Sequence, residues 1–215
     1  MATLHTPRRR PGRPRRDDRR DTAQTILRVA TALFARHGFD AVGVRHVAAA
    51  AGVDVSTVHH HTGGKADLYE ACFARVFEAE RRAMEPALAR ARERLDAGGE
   101  GLLDALHDVL DAFVDFLTGQ PETTGLWLRR WLEPERHRGL DERYSLPLYE
   151  AVERLLADAD AAGVLREPHP RTAVRSLVWS VHAHVVAVLG GQAGPSADGE
   201  LRTFVHRWLD QMYGT

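Results

Sequence analysis

The chain has 215 residues, with 29 Lys and Arg against 30 Asp and Glu and a formal net charge of −1. That length allows a substantial core, arranged either as one domain or as a small module beside a larger one. The near-neutral total hides an asymmetry: residues 1 to 20 hold eight arginines against two aspartates, which leaves about −7 on the remainder. One cysteine, Cys72, excludes an internal disulfide and reads as a small core residue. No apolar run is read as approaching the roughly 20 residues that span a bilayer. The Arg-rich start also lacks the apolar stretch of a signal peptide, so the expected location is the cytoplasm, with no membrane partner.

Residues 1 to 20 read as a disordered arm, rich in Pro, Gly and Arg and too poor in apolar side chains to order itself. Arg8 to Arg16 runs RRRPGRPRR. Its centre at Gly12, Arg13 and Pro14 resembles an AT-hook, an extended segment that lies in a narrow A·T-rich minor groove. A solvated tail making nonspecific phosphate contacts is the alternative. Ile26, Leu27, Ala30, Leu33 and Phe34 then repeat at helical spacing, with Gly38 placed as a left-handed stop and Phe39 packing back beyond it. From Val44 to Lys65 the spacing fits two short helices and one tight turn. Val47, Ala48 and Ala51 share the first, Gly52 supplies the turn, and Val53 and Val58 return to the same core. Ala48 is small enough for two helices to cross steeply. Such a pair presents its second helix, starting near Asp54, to DNA; an ordinary helical hairpin is the alternative. The Asp54 carboxylate is placed to cap that helix by accepting from the backbone N–H of residue 56 or 57. Leu68, Phe73, Val76 and Phe77 mark a fourth helix beginning at Lys65 or Ala66, with Asp67 in its first turn and Pro86 expected to kink or end it.

Beyond Gly98 and Gly99, Leu102, Leu103, Leu106, Val109, Leu110, Phe113 and Leu117 form a helical stripe ending at Gly119, and Pro121 can open the next helix. Later helices are expected near residues 121 to 132, 144 to 162, 170 to 189 and 198 to 212. Breaks fall at Pro134, Gly139, Gly163, Pro168 and Gly190 to Pro195. Nothing alternates as a strand. The expected fold is all-α with about nine helices.

Residues 21 to 72 resemble the TetR family of bacterial transcriptional regulators. The resemblance rests on a helix closed by Phe34, Gly38 and Phe39, an Ala-Gly-Val turn, and the segment Thr57-Val58-His59-His60-His61-Thr62-Gly63-Gly64-Lys65 followed by Leu68. Three positions depart from the family's pattern: His59 stands for its usual Tyr, Thr62 for Phe, and Gly43 for a capping Thr. The resemblance implies an arm (1 to 20), a helix-turn-helix DNA-binding domain (21 to 66) and an effector-binding and dimerisation domain (67 to 215). It implies a homodimer on a palindromic operator in double-stranded DNA, with recognition helices about 34 Å apart or a multiple of that. Val55, Ser56 and Thr57, with His59 and His60 on the next turn, are the candidates to meet base edges. Arg45 and Lys65, the only lysine, resemble positions that hold phosphates, and Arg13 of the arm is a further contact.

No catalytic motif, phosphate loop or zinc spacing is present, so neither enzyme activity nor a cofactor is expected. The three consecutive histidines point about 100° apart on a helix and cannot converge on a metal. His107, with Asp104 and Asp111, reads as a polar helix face. Phe113, Phe116, Trp127, Trp131, Tyr144, Trp179 and His182 are core candidates singly. As a set they are the expected pocket for an apolar or aromatic small-molecule effector. Leu177, Val178, Val181 and Val185, with Leu201, Phe204, Val205, Trp208 and Met212, match the family's four-helix subunit seam, or else serve as internal core. The expected function is a repressor released by its effector. A ligand-independent regulator or activator is the alternative, and a helical enzyme or carrier a remote one.

Overall fold

The computed structural model describes residues 16–132, 138–192, 194 and 197–214. Three helices, α1 (Arg16–Ala41), α2 (Val44–Ala51) and α3 (Val55–Thr62), precede the long α4 (Lys65–Asp96). They are followed by α5 (Leu102–Gly119), α6 (Pro121–Leu132), α7 (Arg138–Leu140), a π-helical turn at Asp141–Ser145, α8 (Leu146–Ala161), α9 (Pro170–Leu189) and α10 (Ala197–Tyr213). With α7, the π turn and α8 counted as one continuous element, nine helices and no strand stand among the described residues.

Several local expectations are corrected. The first helix begins at Arg16 rather than after residue 20, because Pro14 is the last residue of the arm that opposes a helix. Arg13 and the rest of residues 1–15 lie outside the described residues, as do the expected break points at Pro134 and Pro195. Gly38 interrupts α1 with φ 82° and ψ 171°. Its φ is positive as expected but its ψ is extended, so the chain steps sideways instead of closing a left-handed cap, and one short turn follows. Phe39 still packs back, its ring 6.2 Å from that of Phe34. Pro86 does not end α4, which continues to Asp96. Pro86 is exposed while Met84 and Ala87 beside it are buried; the lost backbone bond therefore falls on the wet side and packing holds the other. Finally, α9 is 20 residues long with a mean hydropathy of 1.3, so one segment is long and apolar enough to cross a membrane by length and composition. It buries Ala173, Val174, Val178, Val181, His182 and Val185 against the protein's own core.

Two clusters of buried side chains organise the molecule, and α4 contributes to both. Its Leu68, Tyr69, Cys72, Phe73 and Val76 join Ile26, Ala30, Phe34, Val42, Val47, Ala48 and Val58 in the amino-terminal cluster. Its Met84, Ala87, Ala91 and Leu95 join α5, α8, α9 and α10 in the second. The first cluster also takes in Leu126, Trp127 and Leu140, all beyond residue 66. Phe73 meets Trp127 edge-on at 5.0 Å, and Tyr69 meets Phe34 edge-on at 4.9 Å; each such pair contributes about 1 kcal/mol beyond its burial. Helix α6 lies close on α1: a Cβ at Gly125 would stand 3.2 Å from that of Ala35. Arg129, four residues on, donates from Nε to the Ala35 carbonyl (2.8 Å) and from Nη2 to that of Arg36 (2.5 Å).

Glu80 breaks the apolar face of α4 between the clusters. It is 2 % exposed and has no hydrogen-bond or ion-pair partner among the described residues. Burial raises its carboxyl from 4.5 to about 8. Burial lowers His182, 1 % exposed, from 6.5 to about 4, and its Nδ1 pairs with Thr124 Oγ1 at 2.9 Å. Between pH 4.5 and 6.5 the folded chain holds one more proton than the unfolded at Glu80 and one fewer at His182, so the two effects cancel. From pH 6.5 to 8 only Glu80 acts, and stability should fall by about 2 kcal/mol. Urea unfolding across pH 4.5 to 8 checks this: Glu80→Gln should abolish the fall and leave a rise toward pH 6.5 from His182.

Candidate nucleic-acid interface and effector cavity

The α2–α3 unit is built on the expected glycine. Gly52 is left-handed at φ 69° and ψ 31°, and it lets Val53 N–H reach the Ala48 carbonyl (3.0 Å) while its own N–H reaches that of Ala49 (3.3 Å). Val47, Ala48 and Val58 are buried at the crossing, with Ala51, Val53 and Val55 packed at its edge. Gly43 opens α2 with extended backbone and no side chain to cap it; its carbonyl accepts from His46 and Val47 N–H at 3.0 and 3.1 Å. The cap expected of the Asp54 carboxylate is not made. Asp54 occupies the N-cap position, but its backbone carbonyl does the bonding, to Thr57 N–H (2.9 Å) and Val58 N–H (3.2 Å), while its side chain is exposed.

The burial of Val58 decides which face of α3 points outward. Ser56, His59 and His60, at i, i+3 and i+4, are all exposed on that face; Thr57 flanks it half-buried, and Val55 leans on the core. Arg45 is exposed in the first turn of α2. His59 is held from within: its Nδ1 lies 2.8 Å from the Gly63 carbonyl and donates to it, which leaves Nε2 on the exposed side of the ring. Gly63 has φ 76°, and a Cβ there would stand 2.6 Å from Asp67 Oδ2. That same oxygen accepts from Gly64 N–H at 2.8 Å and caps α4. Lys65, expected only as a phosphate contact, donates from Nζ to the Asp40 carbonyl (3.2 Å) and lies 4.5 Å over the Phe39 ring. It thus ties the start of α4 to the end of α1, with two further N–H donors available.

The aromatic set expected to form one pocket divides into two. Trp131 packs on Trp179 at 4.1 Å and on His182 at 5.5 Å, and His182 meets Phe113 at 6.0 Å. Trp127 instead turns to Phe73, and Tyr144 lies 6.1 Å from Phe77 and donates to Glu70 Oε1 at 3.1 Å. Phe116 is buried in the second cluster. The i, i+4 pair Trp127 and Trp131 shares a side of α6, but that side spans the junction of the two clusters, so each ring meets a different neighbour. The cavity itself, about 70 Å³, lies among α4, α5, α8, α9 and α10 with Met84, Val109, Phe113, Leu148, Val178 and Tyr213 in its wall. Of the expected pocket residues only Phe113 lines it. Its wall is apolar: Tyr213, one of its two phenols, donates to Glu167 Oε2 at 2.6 Å, a buried bond.

The expected subunit seam is also redistributed. Val178, Val181, Val185, Leu201 and Val205 are buried in the protomer's own core, and Leu177 lines the cavity. Phe204 and Met212 are exposed, with Trp208 half-buried between them at i+4. Val186 and Leu189 of α9, which the sequence reading passed over, are exposed as well. Both helices are apolar on two sides, and periodicity alone does not say which side the protomer buries.

The family model for bacterial regulatory proteins of the tetR family matches residues 26–72, the span from α1 to the first two turns of α4. Residues 26–72 therefore carry a TetR-type amino-terminal module. The match supports DNA-binding transcriptional regulation, and α3 is the second helix of the matched helix-turn-helix. No curated protein matches the chain. Among solved structures, the hemolysin II transcriptional regulator HlyIIR is similar over 92 % of this chain and 98 to 99 % of its own, with 16 to 17 % identity and TM-scores of 0.66 to 0.67. The fatty acid degradation regulator FadR of Bacillus halodurans is 18 % identical over 87 % of this chain and 94 % of its own, with a TM-score of 0.68. A putative transcriptional regulator of Saccharomonospora viridis in complex with choline is 20 % identical over 90 % of this chain and 98 % of its own, with a TM-score of 0.62. These likenesses extend the fold agreement through the carboxy-terminal helices.

With Nδ1–H held by the Gly63 carbonyl, the neutral His59 ring presents its acceptor Nε2 on the exposed side.

Proposed function

We propose that the protein is a homodimeric repressor that binds a palindromic operator through α3 and is released when a small molecule fills the carboxy-terminal cavity. The observation that carries this reading is the outward face of Ser56, His59 and His60 on a buried helix-turn-helix whose support, α4, also walls the cavity. Ser56 and the two histidines offer donors and acceptors to base edges, and Arg45 offers phosphate charge. Two modules are needed because one buries too little surface for a selective site.

The route from cavity to operator runs through two contacts. Met84 lines the cavity on the helix whose earlier turns hold Phe73 against Trp127. Arg129 of α6 bonds the last carbonyls of α1. A ligand that displaces α4 or α6 moves the recognition helix of each protomer, and two copies turn that into a changed spacing on DNA. By linkage, such a ligand is itself bound more weakly by the operator complex. The proposed seam is the outer side of α9 and α10, where Val186, Leu189, Phe204 and Met212 are exposed. The cytoplasm is the compartment such a regulator requires.

Selection of the purified full chain on random duplex DNA at near-physiological salt should enrich a palindrome. That enrichment should be lost in Ser56→Ala combined with His60→Ala; binding with no enriched sequence would reduce the protein to a nonspecific DNA binder. Phe204→Arg should convert the dimer to a monomer in sedimentation velocity and weaken operator binding by at least about tenfold. A Phe204→Arg protein that stays dimeric would place the seam elsewhere.

A further inference from the structure

The cavity among α4, α5, α8, α9 and α10 has a wall of one chemical kind. Met84, Val109, Phe113, Leu148 and Val178 typify its lining, and among the described residues no Asp, Glu, Lys, Arg or His side chain lines it. Its polar side chains are two phenols, Tyr149 and Tyr213. The Tyr213 hydroxyl is already engaged: it donates to Glu167 Oε2 at 2.6 Å in a buried bond, and Oε1 of the same carboxyl group accepts from His169 N–H at 2.7 Å. The wall is buried except at Tyr149, Val152 and Leu177, which are half-buried. The cavity therefore meets the surface between α8 and α9, with Tyr149 at its mouth.

That wall selects against charge. An ion moved into it loses its water and meets no partner, a loss that a hydrocarbon of the same length does not suffer. The buried titratable groups on neighbouring turns do not repair this. Glu80, one turn from Met84 on α4, and His182, one turn beyond Val178 on α9, both lie outside the lining. Burial raises the Glu80 carboxyl to about 8 and lowers the His182 imidazole to about 4, so both are predominantly uncharged at neutral pH. Apolar contact instead accumulates along a chain, each methylene moved out of water tightening binding about fourfold. The volume of about 70 Å³ sets the scale at a short chain or one ring, since about 10–15 Å³ on the same measure already admits a water.

We propose that the cavity takes an uncharged ligand, a short hydrocarbon chain or single ring with at most one hydroxyl or ether group, which sits at the mouth between α8 and α9. This rests on the reading of the cavity as the effector site and names its ligand class. The ligand's polar end then lies beside Tyr149, and its apolar body fills the space between Met84 of α4 and Phe113 of α5.

The test is calorimetric titration of the full chain at neutral pH, without DNA, by 1-butanol, 1-pentanol and 1-hexanol and then by hexanoate and hexyltrimethylammonium. Affinity for the alcohols should rise about fourfold with each methylene, with a negative heat-capacity change, and 1-hexanol should bind at least about tenfold more tightly than either ion. Val109→Phe, which fills the cavity from α5, should weaken 1-hexanol at least about tenfold. If that variant does not fold, Leu177→Phe at the half-buried mouth takes its place. Failure of the alcohols to bind, an ion that matches 1-hexanol, a flat series, or an affinity untouched by the filling variant would each overturn the assignment. Because no DNA is present, the outcome separates from that of the operator selection. An alcohol series without an operator leaves the ligand class and removes the repressor, whereas an operator without the series leaves the repressor and removes the ligand class.

Discussion

Everything in this molecule hangs on one helix face being buried twice. Over its first turns α4 closes the core that holds α1, α2 and α3, and over its last turns it closes the core around α5, α8, α9 and α10. Neither core is complete without it, so the helix-turn-helix and the cavity share one support. A 32-residue helix is a stiff element, and protein interiors pack too densely to absorb a shift gradually.

The amino-terminal end of α4 is fastened with care. Asp67 caps it through Gly64, Lys65 ties it to the Asp40 carbonyl and the Phe39 ring, and His59 reaches the Gly63 carbonyl from α3. These bonds spend polar side chains beside the outward face of α3 on positioning. Lys65 shows the double use: one N–H is spent on the fold, and the charge stays at the surface. Arg129 performs the matching task from the other side, since the carbonyls at the broken end of α1 would otherwise lack partners. The two fasteners make α1 a fixed frame against which α3 is held.

At the middle of α4 the rule of apolar burial is broken once, by Glu80. The chain carries a carboxyl where an apolar side chain would avoid the cost of burying a polar group, one helical turn from the cavity-lining Met84.

Periodicity and turn chemistry were enough to read the all-α architecture, the helix-turn-helix and the helices at Pro121–Leu132 and Pro170–Leu189, because these depend on residues close together in the chain. Gly52, Ala48 and Val58 could be assigned for the same reason: a tight turn and a steep crossing each demand a particular local residue type. The outward set of Ser56, His59 and His60 followed once Val58 was known to face inward. Pro86 misled because helix propensity is local while the packing of Met84 and Ala87 is not. The residues expected for the pocket and the seam are divided among several neighbours for a related reason. Trp127, Trp131, Val181, Val205 and Phe204 lie on helices with apolar residues on more than one side, and no local signal says which neighbour each side will meet. Sequence alone thus determined the elements and the helix-turn-helix. Only tertiary packing decided which apolar faces became core, where the cavity opened and which carboxyl was left without a partner, since those depend on contacts between residues far apart in the chain.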